Sequence, residues 1–201
     1  MRNYLYLLGA IIFDAPSPGR FEAARSLTTA LRAQDLPAGH AAIVERIDSE
    51  LTLTPQLACE HSRLFVLGNP DVAAQPYAAY WLEGQLMGEC TVNVARHMEA
   101  FGFGVDRASG LLPDHIVAEL EFLALLSDLE TPAARDALEA FNDQHLVRWV
   151  PLFTRALRRA DPAPHPLYAA AADLLDLLLT EHRPWPGDPV YRQHAPAALS
   201  I

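Results

Sequence analysis

Lysine is missing altogether from this chain of 201 residues, and its 15 basic side chains are all arginine. They are outnumbered by 25 Asp and Glu, for a formal net charge of −10 and a sequence pI near 5.1. No arginine stripe offsets that acidity, which speaks against nucleic-acid binding, because phosphate neutralisation needs clustered basic groups. Cysteine is scarce too. Cys59 and Cys90 form no CxxC pair and no Cys/His framework, so they read as reduced structural thiols of a cytosolic protein. Apolar runs stay short of the roughly 18 residues that a membrane span needs. Also missing are GxSxG, HExxH and GxxxxGK[ST], which leaves no recognisable nucleophile elbow, paired zinc ligands or phosphate cradle. The acidity does suit a basic partner segment, since complementary charge speeds encounter.

What is present favours helix. Hydrophobic residues make up 51% of the chain, with Ala and Leu dominant and the β-branched residues comparatively sparse. The length fits one domain, or one divided into two lobes, and buries a core without staples. Pro and Gly cut the chain into helix-length pieces. Helices are expected over 4–13, 21–34, 41–51, 55–65, a long segment 77–101, 113–129, 132–146 with a further piece through 159, and 167–182. The first of these reads as a core helix rather than as the centre of a signal peptide: one Arg precedes it and no small-x-small cleavage site follows. With no strand alternation or repeat, the expected fold is all-α, a single domain of roughly eight to ten helices over 1–182. Its lobes would be about 1–101 and 113–182, with a hinge at the Gly-rich connection 102–112. A tail, 183–201, holds four prolines and is expected to lie extended on a surface.

Two stretches stand out as candidate sites. In LLPDHIVAELEFLALL, residues 111–126, Pro113 fits the first helical position and Asp114 the first turn, where a carboxylate meets the helix dipole favourably. His115 is not explained by that local reading, because a cation there is disfavoured. A second reading makes His115 and Glu119, four apart on one face, half of a metal site in a small helical hydrolase, with His61, His97 and His145 as further donors. In QPYAAYWLEGQLMGEC, residues 75–90, Tyr77, Tyr80 and Trp81 share a helical face, with Met87 further along. Such a stripe is either core or a groove that accepts apolar peptide.

Taken in order, these pieces resemble a known family. An apolar first helix followed by DAPSP, then HSRLFVLG, QPYAAYWLEG, LLPDHIVAELEFLALL, HLVRWVPLF and LYAAAADLLDLLL together resemble the cytoplasmic chaperones of molybdenum-cofactor oxidoreductases, the TorD, DmsD and NarJ types. The PDH-x4-ELEF block is the most specific of them. The resemblance implies an all-helical protein with no catalysis and no cofactor of its own, monomeric or homodimeric. Its partner would be the catalytic subunit of a molybdopterin oxidoreductase, bound through an N-terminal leader, often a twin-arginine signal peptide, until the cofactor is loaded. It places Asp114 and His115 on the peptide-binding surface, with Pro76, Tyr77, Tyr80 and Trp81 lining an adjacent groove, Glu119 contributing charge, and Leu64 and Phe65 as the family's short Leu-Phe motif. Two departures, His61 at a position usually aromatic and AQPYAAY where the family has a double proline, leave the type of leader open.

Overall fold

The computed structural model describes residues 2–68 and 71–182, and the expected Pro-rich tail lies outside that range. Within it the chain is helical. In order come α1 (Arg2–Phe13), α2 (Pro18–Arg32), α3 (Ala38–Glu50), α4 (Pro55–Phe65), α5 (Ala78–Glu83), α6 (Glu89–Glu99), α7 (Ile116–Asp128), α8 (Pro132–Phe141), α9 (Val147–Arg158) and α10 (Pro166–His182). Three of the starts obey one local rule. Ser17, Thr54 and Thr131 each cap a helix whose next residue is proline, and their hydroxyls accept from the N–H groups of Arg20, Leu57 and Ala134. The hydroxyl satisfies a donor that the helix cannot, and the proline lacks a donor where none is needed.

Beyond offsets of up to three residues in α1, α2 and α3, three boundaries depart from expectation. The long segment 77–101 is two helices, because Gly84 takes φ +72° and ends α5 with a left-handed cap. Tyr77 is its extended N-cap, so Tyr77, Tyr80 and Trp81 do not form one helical stripe and Met87 is not on that helix. The helix expected from Pro113 starts only at Ile116. Finally, α8 does not stop at 146 but passes into α9 through a π turn, Asn142–Leu146, where the Asn142 amide donates to the Leu138 carbonyl at 2.8 Å.

α1 lies along α7, and α10 packs on α3 and α9. At Gly9 the α1–α7 approach is close enough that an added Cβ would stand 3.2 Å from Leu120 Cδ1. Tyr6 and Leu8 of α1, Leu120 and Leu123 of α7, Trp149 and Phe153 of α9, and Leu174 of α10 are all buried in one cluster. Each such side chain contributes roughly 1.5–3 kcal/mol. One core therefore runs through residues on both sides of the 102–112 connection, which itself holds a 3-10 turn, Arg107–Ser109. Leu64 and Phe65 belong to this core: Phe65 meets the rings of Phe13 and Tyr168 at 5.8 and 5.2 Å. No helix among the described residues is long and apolar enough to cross a membrane.

Candidate functional site

The two stretches singled out in the sequence are stitched to each other. Ile116 N–H donates to the Pro76 carbonyl at 2.8 Å and Ala78 N–H to the Asp114 carbonyl at 3.0 Å, which makes Tyr77 and His115 an isolated antiparallel bridge. That bridge holds His115 extended, and so delays α7 to Ile116. The Asp114 side chain then reaches across: Oδ2 accepts from Ala79 N–H at 2.9 Å in the first turn of α5. Asp114 thus caps a helix 35 residues away in sequence, not the one it precedes. Oδ1 has no hydrogen-bond partner among the described residues, and the whole carboxylate is buried.

His115 is the N-cap of α7, with Nδ1 accepting from Val117 N–H at 3.1 Å. Nδ1 of a neutral imidazole can stand where Asn presents its amide oxygen, and the proton then sits on Nε2. Burial pushes the His115 pKa down to about 4, against a smaller upward pull from Asp14. Its ring meets Tyr77 edge to face at 4.8 Å. The residue left unexplained by local reasoning is therefore a neutral cap with 7% exposure.

Glu119 turns away from His115. Its Oε1 lies 2.6 Å from His145 Nε2, and Trp149 Nε1–H donates to Oε2 at 3.2 Å. Complete burial raises the carboxyl pKa, and His145 opposes that shift. The pairing of His115 with Glu119 expected for a metal site is not formed. Among the described residues no group of three His, Cys, Asp or Glu side chains is arranged to hold a metal ion. Asp114, His115 and Glu119, expected on a peptide-binding surface, are buried, as are Pro76, Leu64 and Phe65.

What the stitch supports is the α5 edge. Tyr77, Tyr80 and Trp81 are half-buried. Trp81 is pinned by Nε1–H to the Gln75 carbonyl at 2.7 Å and meets the Tyr80 ring edge-on at 5.2 Å. Beyond Gly84 the chain exposes Leu86 and Met87, the latter 73% accessible and at φ 57°. A left-handed backbone costs a non-glycine residue about 1–2 kcal/mol. Next to it a cavity of about 270 Å³ opens between the α5–α6 and α8–α9 segments, with Glu83 and Glu89 on one side and His145 and Arg148 on the other. Glu83, Leu86, Glu89 and Arg148 were not among the residues expected to form a site. The legible signal was GQLMG, two large apolar residues between glycines with no turn-forming side chain.

The nitrate reductase delta subunit family model matches residues 26–155. Among curated relatives, the selenate reductase assembly chaperone protein of Thauera selenatis is 40% identical over 100 residues, 45% of this chain and 50% of that one. Chaperone protein TorD of Actinobacillus succinogenes is 34% identical over 98 residues, 49% of each chain. TorD of Vibrio cholerae is 30% identical over 139 residues, 65% of this chain and 60% of its own. The chain thus spans about half to three-fifths of the length of these relatives. A chain from Archaeoglobus fulgidus assigned as a redox enzyme maturation protein has the same fold, with TM-score 0.62 over 89% of this chain and 93% of that one at 22% identity. These relatives carry the names of chaperones and assembly proteins, not of enzymes. With the family model spanning more than half of its residues, this chain belongs to the nitrate reductase delta subunit family, the TorD/NarJ family.

Proposed function

We propose that this protein is a cytoplasmic chaperone for the catalytic subunit of a molybdenum-cofactor oxidoreductase. It binds that subunit's N-terminal leader, of twin-arginine type, and holds the subunit back until the cofactor is loaded. The observation that carries the reading is the α5 edge, where Tyr77, Tyr80 and Trp81 stand half-buried beside the exposed Leu86 and Met87. A Met-bearing apolar surface accepts varied apolar sequences, because an unbranched thioether adapts to what it meets. The net charge of −10 favours a client segment with a basic start.

On this reading Asp114 and His115 act at one remove: they hold the α5 edge in place and do not touch the leader. Titrating the full chain calorimetrically with a synthetic leader, two adjacent arginines followed by an apolar stretch, tests the reading. Binding should be in the micromolar range or tighter and should weaken at least tenfold in Trp81→Ala and Met87→Ser, with Tm little changed for Met87→Ser. Equal binding by both variants would sink the assignment of the α5 edge, and no binding by the unaltered protein would sink leader recognition itself.

A further inference from the structure

We propose that the cavity between the α5–α6 and α8–α9 segments receives an arginine side chain of the client leader, and that the apolar residues after it lie over Leu86 and Met87. The inference rests on the leader-binding reading and adds to it the position and chemistry of one subsite.

The mouth of the cavity carries two carboxylates, Glu83 at the end of α5 and Glu89 at the start of α6. No cation pairs with either among the described residues. Glu83 is held in position: Oε1 accepts from Cys90 N–H at 2.7 Å, capping α6. Its other oxygen stands 1.6 Å from where a side chain at Gly88 would place its Cβ. Glycine at 88 is what lets the carboxylate stay at the mouth. Behind the floor lie two more acidic groups, Asp114 and Glu119, both fully buried. Cys90, on the floor, registers them: burial first, then Glu119, Asp114 and Glu83, push its thiol up to about 12.

Against these stands one guanidinium, Arg148, on the opposite wall. Two imidazoles also line it, His97, whose Nδ1 lies on the Asn93 carbonyl, and His145, already held by Glu119. With Asn93, Gln144 and the Phe141 ring beside them, a planar cation would find acceptors at its edges and a ring beside its stem. The connection that exposes Leu86 and Met87 leaves from Glu83 and returns at Glu89. The apolar patch and the acidic mouth are therefore adjacent, as the basic and apolar parts of a leader are.

The test is a thermodynamic cycle on the full chain, followed by fluorescence anisotropy. Two labelled peptides are used, one with two adjacent arginines before an apolar stretch and one with both arginines changed to Gln. Glu83→Gln with Glu89→Gln keeps an acceptor for Cys90 N–H but removes both charges. It should weaken binding of the arginine peptide about tenfold to a hundredfold, as expected for losing charge-assisted hydrogen bonds. Arg148→Gln should tighten the same peptide several-fold, because it removes a competing guanidinium, and a misfolded variant could not mimic that gain. Both differences should disappear with the Gln peptide. Intact binding of the arginine peptide that is indifferent to both variants overturns this inference alone. If the unaltered protein binds neither peptide, the leader reading falls and this inference falls with it.

Discussion

Changing His115 to Asn separates two roles that the buried imidazole combines. As a cap, Nδ1 accepts from Val117 N–H, and an Asn amide oxygen can do the same. As a titrating group, His115 has its pKa pushed down to about 4 by burial, from the usual 6.5. The unfolded chain therefore binds a proton below pH 6.5 that the folded chain refuses until about pH 4. The stability due to a neutral His115 is complete above the unfolded value and is lost as pH falls through that window. Between pH 7.5 and pH 4.5 the loss amounts to about 2.5 kcal/mol, or roughly 5–10 °C in Tm for a domain of this size. His61, also pushed down by burial, adds a loss of the same sign, while the raised carboxyls of Glu119, Glu121 and Asp143 act the other way. The carboxyl contributions are common to both proteins and cancel in the difference between them, whereas that of His61, which also acts on His115, cancels only in part. Urea unfolding of the parent and of His115→Asn at the two pH values measures it. The variant should be less stable at pH 7.5, by about 1 kcal/mol for the lost ring contact with Tyr77, yet lose about 2.5 kcal/mol less on acidification. Parallel pH dependence in the two proteins would refute the burial argument.

Four further outcomes follow from other contacts. Asp114→Ala removes the acceptor for Ala79 N–H in a buried place and should cost about 2–4 kcal/mol; Asp114→Asn, which keeps an acceptor, should cost less than half of that in the same denaturation assay. Gly84→Ala, at φ +72°, should lower stability by about 1 kcal/mol and loosen the α5 edge, visible as faster hydrogen exchange over 78–83. Iodoacetamide at pH 8 should alkylate the exposed Cys59 well before Cys90, whose buried thiol is pushed up to about 12; equal rates would contradict the burial of Cys90. Leader binding should weaken between low and high salt if arginines meet carboxylates, whereas salt-independent titrations would point to a purely apolar contact.

Local chemistry was enough for most of the fold. Helix starts after Thr54 and Thr131 were legible because cap and proline are neighbours in the chain, and the end at Phe65 coincides with the expected one. The same pair at Ser17 and Pro18 starts α2 three residues before the expected position 21. The failures are also local in origin. Residues 77–101 read as one helix because the apolar spacing continues across Gly84, whose positive φ is a backbone property that spacing does not reveal. Pro113 looked like a helix start because the competing bridge to Pro76 comes from a segment far away in sequence.

Sequence alone determined the helical class and, through the ordered series of segments, the family. Those depend on which residues are present and how they are spaced. Only the tertiary structure decided what Asp114, His115 and Glu119 do. Each has a partner set by packing: Asp114 the first turn of α5, His115 its own helix start once Tyr77 holds it extended, and Glu119 the side chains of His145 and Trp149. A carboxylate or imidazole is equally able to bind a metal, move a proton or cap a helix. Burial and the direction of the nearest N–H select among these, and both arise only when distant segments meet.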